Sequence, residues 1–250
     1  MVELHTLAPD LVPKPIARGN LKGGNPIASE NTGESSTHFL ITEFKDFAPS
    51  EELPDAKRLG KRLAALHRRS ALHGSSRGRF GFDIQTYDGS RVQAVGWQDK
   101  WTPFFSKLLA GAYRQDTETN GVWPELEAAY ERVQSRLIPR LIGALEADGR
   151  SVTPVLIHGD LWDGNVGVEK DTGDPWIFDC GVYYAHNEME LGIWRAERHR
   201  LRAEEYRNEY FKNYEPSEPR EECDDRNRLY SAKTNFMHSA IFPGSPARRA

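Results

Sequence analysis

One stretch of the sequence decides the fold: Ile157-His158-Gly159-Asp160-Leu161-Trp162-Asp163-Gly164-Asn165, with Asp179 following on a later strand. The apolar residues 155–157 predict a buried strand, and His158-Gly159 turns the chain. A second strand begins at residues 166–168, turn-forming residues occupy 170–174, and a third strand returns through 176–178. This order of strand, loop and hairpin brings Asp160, Asn165 and Asp179 to one edge of a small sheet.

These three side chains suit the transfer of a phosphoryl group. That reaction needs a carboxylate that orients the attacking hydroxyl and accepts its proton, and oxygen ligands that hold Mg²⁺ on the phosphates. Asp160 fits the first role, and Asn165 and Asp179 fit the second. Each residue alone is more readily explained as a turn or strand-end residue. The set favours phosphoryl transfer, because kinase catalytic loops carry the same Asp-to-Asn interval before a metal-binding Asp.

Composition bounds the class of protein. The chain has 250 residues, 28% of them charged, which is room for one large domain or two small ones. We find no apolar run of the roughly 20 residues that span a bilayer, and no signal peptide at the N-terminus. Cys180 and Cys223 do not suggest a disulfide framework, which predicts a reducing, cytoplasmic location. The net charge of −4 argues against a nucleic-acid partner.

The N-terminal part contains one clear strand, residues 38–44. In a kinase it would be the last strand of the small lobe and would lead into the hinge that binds adenine; an ordinary buried strand explains it equally well. Residues 1–38 otherwise look poor in regular structure, with a proline-punctuated connector over 8–15. Residues 19–26 lack the spacing of a phosphate-binding loop, which favours a surface turn.

Helices are predicted over most of the remaining chain. Ser50 is expected to cap an amphipathic helix that ends near residues 67–69, with His67 as a helix-end residue. Residues 74–82 predict a flexible basic loop, and the aromatic residues 97–105 open a helix through about Tyr113. A long helix over 124–146 should kink at Pro139. Charged helices follow over 188–214 and 221–240.

Together these stretches resemble the fructosamine kinase family, also called ketosamine or protein-ribulosamine 3-kinases, within the protein-kinase-like superfamily. The similar stretches cover nearly the whole chain and run in order over residues 12–16, 39–44, 81–82, 97–105, 158–165, 179–188 and 224–230. The segment His-Gly-Asp-Leu-Trp-x-Gly-Asn is the most specific, because related phosphotransferases generally lack its tryptophan.

The resemblance implies an α+β fold of the protein-kinase-like, aminoglycoside-phosphotransferase-like type. A mostly helical large lobe with a small catalytic β-hairpin would be joined to an incomplete N-terminal small lobe. Residues 1–48 would be the remnant of the small lobe and the hinge, 49–242 the large lobe, and 243–250 a frayed tail.

The resemblance also implies an activity: ATP-dependent phosphorylation of the 3-hydroxyl of ketosamines, the fructosamine or ribulosamine adducts of lysine and other amines. The product falls apart and frees the amine, so the reaction repairs glycation. ATP and Mg²⁺ would be the cofactors, and the partner a small ketosamine or a glycated protein, with no nucleic acid and no membrane.

The family pattern assigns the site residues one by one. Asp160 would be the base and Asn165 and Asp179 the Mg²⁺ ligands, in agreement with the chemistry above. The segment Glu43-Phe44-Lys45 would offer hinge groups to adenine. On the substrate side, Trp162 would wall the sugar pocket and His158 would brace the loop. Trp97 is a further candidate from the aromatic stretch 97–105 itself, where residues of this kind usually pack a core but could also wall a sugar pocket.

Two departures from the family pattern matter. Asp179-Cys180-Gly181 stands where the family usually has Asp-Pro-Ala, which keeps the carboxylate and makes the following backbone more flexible. No glycine-rich strand pair or strand lysine precedes Phe39, because Lys14 lies between prolines and Lys22 in a turn. We therefore expect an N-terminally truncated member of the family, in which the resemblance begins within the regulatory helix at about residues 1–7.

Two alternative functions stay open. The chain could be a non-catalytic, pseudokinase-like remnant that binds a ketosamine or a protein partner, because losing the phosphate lid and the lysine removes electrostatic contacts with the nucleotide. It could also be a related small-molecule kinase of the choline or aminoglycoside type, although Leu161-Trp162 argues against this.

Overall fold

The structure, a computed structural model, describes residues 1–21 and 37–249. Its helices are α1 Val2–Leu7, α2 Ala56–His73, α3 Trp101–Asn120, α4 Pro124–Arg132, α5 Asn187–Glu190, α6 Glu204–Asn213 and α7 Cys223–Ile241. Its strands are β1 Pro15–Leu21, β2 Thr37–Thr42, β3 Tyr87–Asp88, β4 Arg91–Val92, β5 Val155–Ile157, β6 Val166–Val168, β7 Pro175–Ile177 and β8 Tyr183–Ala185. A π-helix spans Val133–Ile142, and 3-10 helices span Gly143–Glu146, Asp163–Asn165, Ile193–Arg195, Arg200–Arg202, Arg220–Glu222 and Pro246–Arg249. Within the described ranges, no helix is both long and apolar enough to cross a bilayer.

The antiparallel pair β5–β8 lies between two buried apolar clusters. Leu156 and its partner Tyr184 face the cluster that contains residues of α1, α2 and α6. Val155 and Ile157 face the cluster built from α3, α7 and the π-helix. Because side chains alternate across a strand, a strand buried on both faces must be apolar at every position. The predicted buried strand at 155–157 is thereby confirmed.

Two further strand pairs flank this centre. β6 and β7 form the hairpin predicted after the loop, with Val166 opposite Ile177 and Val168 opposite Pro175. β1 pairs antiparallel with β2, so the strand predicted over 38–44 is confirmed, although it ends at Thr42.

The described part of residues 1–38 contains more regular structure than predicted, because strand β1 follows the proline-punctuated connector. Helix α1 lies before the connector, where the resemblance implies part of a regulatory helix. Proline at the first position of β1 is tolerated, and pairing with β2 supplies backbone hydrogen bonds that a local pattern does not reveal. The predicted turn over 19–26 lies outside the described residues beyond Leu21, and so does Lys22.

The first long helix begins and ends later than predicted. Its N-cap is Asp55, not Ser50, and the Asp55 side chain accepts a hydrogen bond of 2.8 Å from the backbone N–H of Arg58. It ends at Gly74, whose φ of 69° closes the helix in the left-handed conformation. His67 is therefore a buried mid-helix residue, and the prediction that it ends the helix is wrong.

The predicted helix over 188–214 is also wrong, because the chain turns several times between α5 and α6. Glu188 and Glu190 look like surface charges in the sequence, but both are buried. Glu188 forms a two-pronged ion pair with Arg226 of α7, at 2.8 and 2.9 Å. Gly192 then lies against the backbone of α7, where an added Cβ would be 2.8 Å from Cβ of Tyr230.

Two other segments differ in detail. The helix predicted over 124–146 changes at Arg132 from α-helical to π-helical hydrogen bonding, and Pro139 lies within the π-helical part Val133–Ile142, so the change begins before the proline at which it was predicted. The tail predicted to be frayed contains the 3-10 helix Pro246–Arg249 instead. Arg248 holds it through an ion pair of 2.9 Å with the buried carboxylate of Asp116.

We predict that Gly60→Ala lowers the free energy of unfolding by about 1–3 kcal/mol, because an added Cβ would lie 2.7 Å from backbone atoms of α6 and would push the two helices apart. Gly143→Ala is the matched control. Gly143 has ordinary helical φ and ψ of −61° and −31° and open space around its Cβ position, so alanine there should stabilise by about 0.4–1 kcal/mol. Urea unfolding measures both variants. Equal effects would show that α2 and α6 do not pack at this distance.

Candidate active site

The loop after β5 is closed by Asn165. Its side-chain nitrogen donates to the backbone oxygen of Asp160 at 2.8 Å, to the Asp160 carboxylate at 3.2 Å and to the backbone oxygen of Asp179 at 3.3 Å. The three residues that the sequence singles out are thus joined around one amide group. The amide oxygen of Asn165 makes no hydrogen bond within the described ranges, so it can serve a ligand.

Asp179 is held in an uncommon backbone conformation. Its φ is 56°, in the left-handed region that residues other than glycine seldom adopt, and its side chain is exposed. The preceding residue, Phe178, is fixed on both sides, because its N–H donates to the Asn165 carbonyl and its carbonyl accepts from Nε2 of His158. Such strained positions often occur at functional sites.

His158 braces the loop from beneath and does not reach the cavity. It is fully buried, and burial lowers the pKa of its imidazole, so the ring is neutral at pH 7. The neutral ring donates from Nε2 to Phe178, at 2.8 Å, and accepts at Nδ1 from the backbone N–H of Asp160, at 3.3 Å. This supports the predicted bracing role and argues against direct contact with a substrate.

A buried carboxylate, Glu190, anchors the same loop. It accepts the backbone N–H groups of His158 and Gly159, and it lies 3.6 Å from Nε2 of His67. Burial would raise the pKa of Glu190, but His67, the His158 ring and the His158 N–H outweigh it and lower the pKa. Gly159 has a φ of 80°, and any side chain there would strike the carbonyl oxygen of Gly181.

Asp160 has the electrostatic character of a general base. Burial raises the pKa of its carboxyl to about 7, Asp88 and Asp179 add to the rise, and Lys233 and Asn165 oppose it. A base is most effective when its pKa is near the working pH, since it is then partly ionised and still basic enough to take a proton.

Two cavities meet at Asp160 and Asp179. The larger, of about 810 Å³, lies between α1, the β1–β2 pair and residues 82–89. The smaller, of about 410 Å³, is lined by Trp162, Asn165, Arg198, His199 and residues of α7. Both volumes are in the range of small-molecule sites, roughly 300–1,000 Å³. One carboxylate pair is therefore accessible from two sides.

The predicted substrate walls separate in the structure. Trp162 lines the smaller cavity, with its ring over Gly164, where any side chain would collide with it. Trp97 lines neither cavity; its ring stacks on Tyr184, and its Nε1 donates to Asp83 at 2.9 Å. The structure thus brings Trp162 to the site but not Trp97.

The predicted hinge, Glu43-Phe44-Lys45, lies apart from Asp160. Lys45 places its Nζ 3.6 Å from the centre of the Trp176 ring and 3.2 Å from the Glu43 carboxylate. Phe44 is exposed. None of the three lines either cavity, whereas the preceding residue, Thr42, lines the larger one. Adenine binding by this segment stays a prediction.

Several residues of the site escaped the sequence analysis. Lys233 of α7 is buried and places its Nζ 2.7 Å from Asp88 and 2.8 Å from the side-chain oxygen of Gln93. Asp88 and Lys233 act through space on Asp160. His199 lies beside Trp162, and burial lowers its pKa to about 4. No local motif marks these residues; the one signal is a lysine on the inward face of a helix.

Several known proteins are similar in sequence to this chain. The family model described as fructosamine kinase matches residues 3–250. A chloroplastic protein-ribulosamine 3-kinase of Oryza sativa subsp. indica is 36% identical over 171 residues, which cover 68% of this chain and 45% of that protein. The Arabidopsis thaliana counterpart is 30% identical over 214 residues, covering 85% and 56%. A Mus musculus ketosamine-3-kinase is 34% identical over 142 residues, covering 55% and 43%. The chain spans about half the length of these relatives.

Solved structures share the fold. A protein assigned as a fructosamine-3-kinase from Haemophilus somnus superposes with a TM-score of 0.67 at 17% identity, covering 99% of this chain and 74% of that one. One from Thermobifida fusca gives 0.65 at 17%, covering 99% and 96%. A mutant aminoglycoside phosphotransferase, APH(4)-Ia, gives 0.59 at 18%, covering 99% and 77%. The predicted protein-kinase-like α+β fold is therefore confirmed.

We predict that Asp160→Asn changes how stability depends on pH in metal-free buffer. The folded protein keeps the Asp160 proton up to about pH 7, whereas the unfolded chain releases it near the ordinary pKa of 3.8. Between these two pKa values the unfolded chain releases the proton and the folded protein keeps it, so the free energy of unfolding of the wild type falls as pH rises. Asp160→Asn lacks this proton and therefore lacks this part of the pH dependence. The variant should therefore gain stability relative to wild type as pH rises from about 4 to 7.

Urea unfolding at several pH values measures this difference. Asp171→Asn, in the exposed turn between β6 and β7, controls for the loss of one surface charge. A difference between Asp160→Asn and wild type that stays constant over this pH range would contradict the raised pKa.

Proposed function

The chain belongs to the fructosamine kinase family, and from that premise we propose that it transfers a phosphoryl group from ATP to the 3-hydroxyl of ketosamines. The single observation that carries the proposal is that Asp160 and Asp179 line both cavities. Phosphoryl transfer needs a nucleotide and an acceptor on opposite sides of the transferred group. The larger cavity would take the nucleotide and the smaller one the sugar.

The proposed reaction is a single displacement at the terminal phosphorus of ATP. The acceptor O–H bond breaks as its proton passes to the Asp160 carboxylate, while the acceptor oxygen bonds to phosphorus. The bond between phosphorus and the leaving oxygen breaks, and ADP departs with that electron pair. The raised pKa of Asp160 suits this proton transfer at neutral pH.

Asn165 and Asp179 are the proposed Mg²⁺ ligands. Their oxygens are hard donors, the Asp179 carboxylate is exposed, and the Asn165 amide nitrogen is already committed, which leaves its oxygen for a ligand. Across residues 1–21 and 37–249, no cluster of three or more His, Cys, Asp or Glu suits a metal ion. Two protein ligands nevertheless fit Mg²⁺, which completes its shell with phosphate oxygens and water. When bound, the ion would neutralise charge on the transferred phosphoryl group.

The acceptor is proposed to be a fructosamine or ribulosamine on an amine, either a small molecule or a residue of a glycated protein. Trp162 offers the sugar an exposed aromatic face at the cavity wall. The relatives from rice and Arabidopsis are named ribulosamine kinases and chloroplastic, and the mouse relative is named a ketosamine kinase. For this chain we propose a cytoplasmic location, because its two cysteines are free.

We predict that the protein incubated with Mg·ATP and a ribulosamine releases ADP and forms a 3-phosphate, both detectable by ³¹P NMR. Asp160→Asn should lower turnover by about 10²–10⁴-fold, the usual contribution of a general base. Asp171→Asn, which removes an exposed carboxylate of the hairpin turn, should keep wild-type turnover. Equal turnover by Asp160→Asn would remove the base assignment. Ketosamine binding without phosphorylation would favour a non-catalytic binding role.

A further inference from the structure

We infer that the acceptor site continues past the sugar into a basic cavity, where Arg198 binds an anionic group of the substrate. This inference rests on the proposed function, because it concerns the acceptor of the same site. The anion would be a carboxylate on the amine part of the ketosamine or a phosphate on its sugar; a guanidinium recognises both through paired charge-assisted hydrogen bonds.

The basic cavity adjoins the smaller cavity at Asp160. It has a volume of about 670 Å³, and Arg198 and His238 line both it and the smaller cavity at Asp160. The substrate that places a hydroxyl at Asp160 can therefore extend past Arg198. The uncharged hydroxyls of a sugar need no guanidinium at that point, whereas an anionic substituent does.

The positive charge of the basic cavity also favours an anionic ligand. Arg195, Arg228 and Arg249 line it together with Arg198, and Glu197 is the carboxylate among its lining residues. Arg195 and Arg228 are already paired with Asp224, at 2.7 and 3.2 Å. Arg198 is the arginine of this group that lies nearest to the acceptor, since it also lines the site at Asp160.

Arg198 itself has unused donors. One Nη donates to the neutral amide oxygen of Asn235 at 2.8 Å, and its buried Nε has no hydrogen-bond partner within the described residues. No carboxylate of residues 1–21 or 37–249 forms an ion pair with it. A partly buried guanidinium without an ion pair is costly, because it loses hydration without gaining a counter-charge. An anionic ligand would supply that charge.

The alternative role for Arg198 is contact with the transferred phosphoryl group. Asp88 and Asp160 act on Arg198 through space, so its guanidinium could instead contact the transferred phosphoryl group. Such a contact would help every acceptor equally and would appear in kcat. Recognition of the acceptor would appear in KM, and only for acceptors that carry the anion.

Binding of matched ligands tests the inference without turnover. The ligands are fructosyl-glycine, its amide, which lacks the carboxylate, and a 6-phosphate of that amide, each titrated calorimetrically into the protein. We expect the carboxylate or the phosphate ligand to bind roughly tenfold more tightly than the amide, and which of the two does so identifies the source of the anion. Arg198→Gln should remove this preference.

Arg202→Gln is the matched control, because Arg202 lies in the same segment and is exposed. It lines neither the basic cavity nor the smaller cavity at Asp160. It should keep the preference for the anionic ligand. Equal affinities for all three ligands, a preference that survives Arg198→Gln, or no binding of any of them would each overturn the inference.

Turnover gives a second readout. For the preferred anionic ketosamine, Arg198→Gln should raise KM about tenfold and leave kcat unchanged. An equal fall in kcat for charged and uncharged acceptors would assign Arg198 to the phosphoryl group and overturn the inference. Preferential binding of the anionic ketosamine without any phosphorylation would overturn the proposed function alone.

Discussion

The loop that carries Asp160 and Asn165 depends on one buried carboxylate. Glu190 accepts the backbone N–H groups of His158 and Gly159, which start the loop that carries Asp160 and Asn165. Glu190 in turn belongs to α5, and α5 is tied to α7 by the buried pair of Glu188 with Arg226. Removing one partner of such a buried pair is strongly destabilising, because it leaves the other charge buried and uncompensated. Because α7 also carries Lys233, these contacts position the loop of Asp160 relative to the wall of the smaller cavity that α7 forms.

The charges around Asp160 are balanced by residues from three distant segments. Asp88 and Asp179 favour the protonated carboxyl, while Lys233 and Asn165 favour the ionised form. Lys233 is itself buried and held by Asp88 and Gln93, so its charge stays in place when the site is empty. Preorganised charges of this kind cost no rearrangement during a reaction. Asp160 lies between two cavities, where the proposed phosphoryl transfer would use this balance.

The sequence predicted the local parts of the site and missed the long-range ones. Asp160, Asn165 and Asp179 were found because a strand, a tight loop and a hairpin have periodic patterns that a short stretch reveals. Glu190 and His67 were not, since each looks like an ordinary helical residue until the fold buries it. The helix predicted over 188–214 failed for the same reason: a local pattern does not show which of its charges the fold buries, and two of them form the buried contacts above. Trp97 shows the converse case, because its ring packs against Tyr184 and does not line the cavity beside Trp162.

We propose that the nucleotide and the acceptor approach Asp160 and Asp179 from two different cavities. A crystal structure of the protein with Mg²⁺, a non-hydrolysable ATP analogue and a ketosamine tests it most directly. We expect the nucleotide in the cavity beside α1 and β2, the sugar beside Trp162, and the 3-hydroxyl within hydrogen-bond distance of the Asp160 carboxylate. Both ligands in one cavity, or a sugar whose 3-hydroxyl points away from Asp160, would contradict the claim.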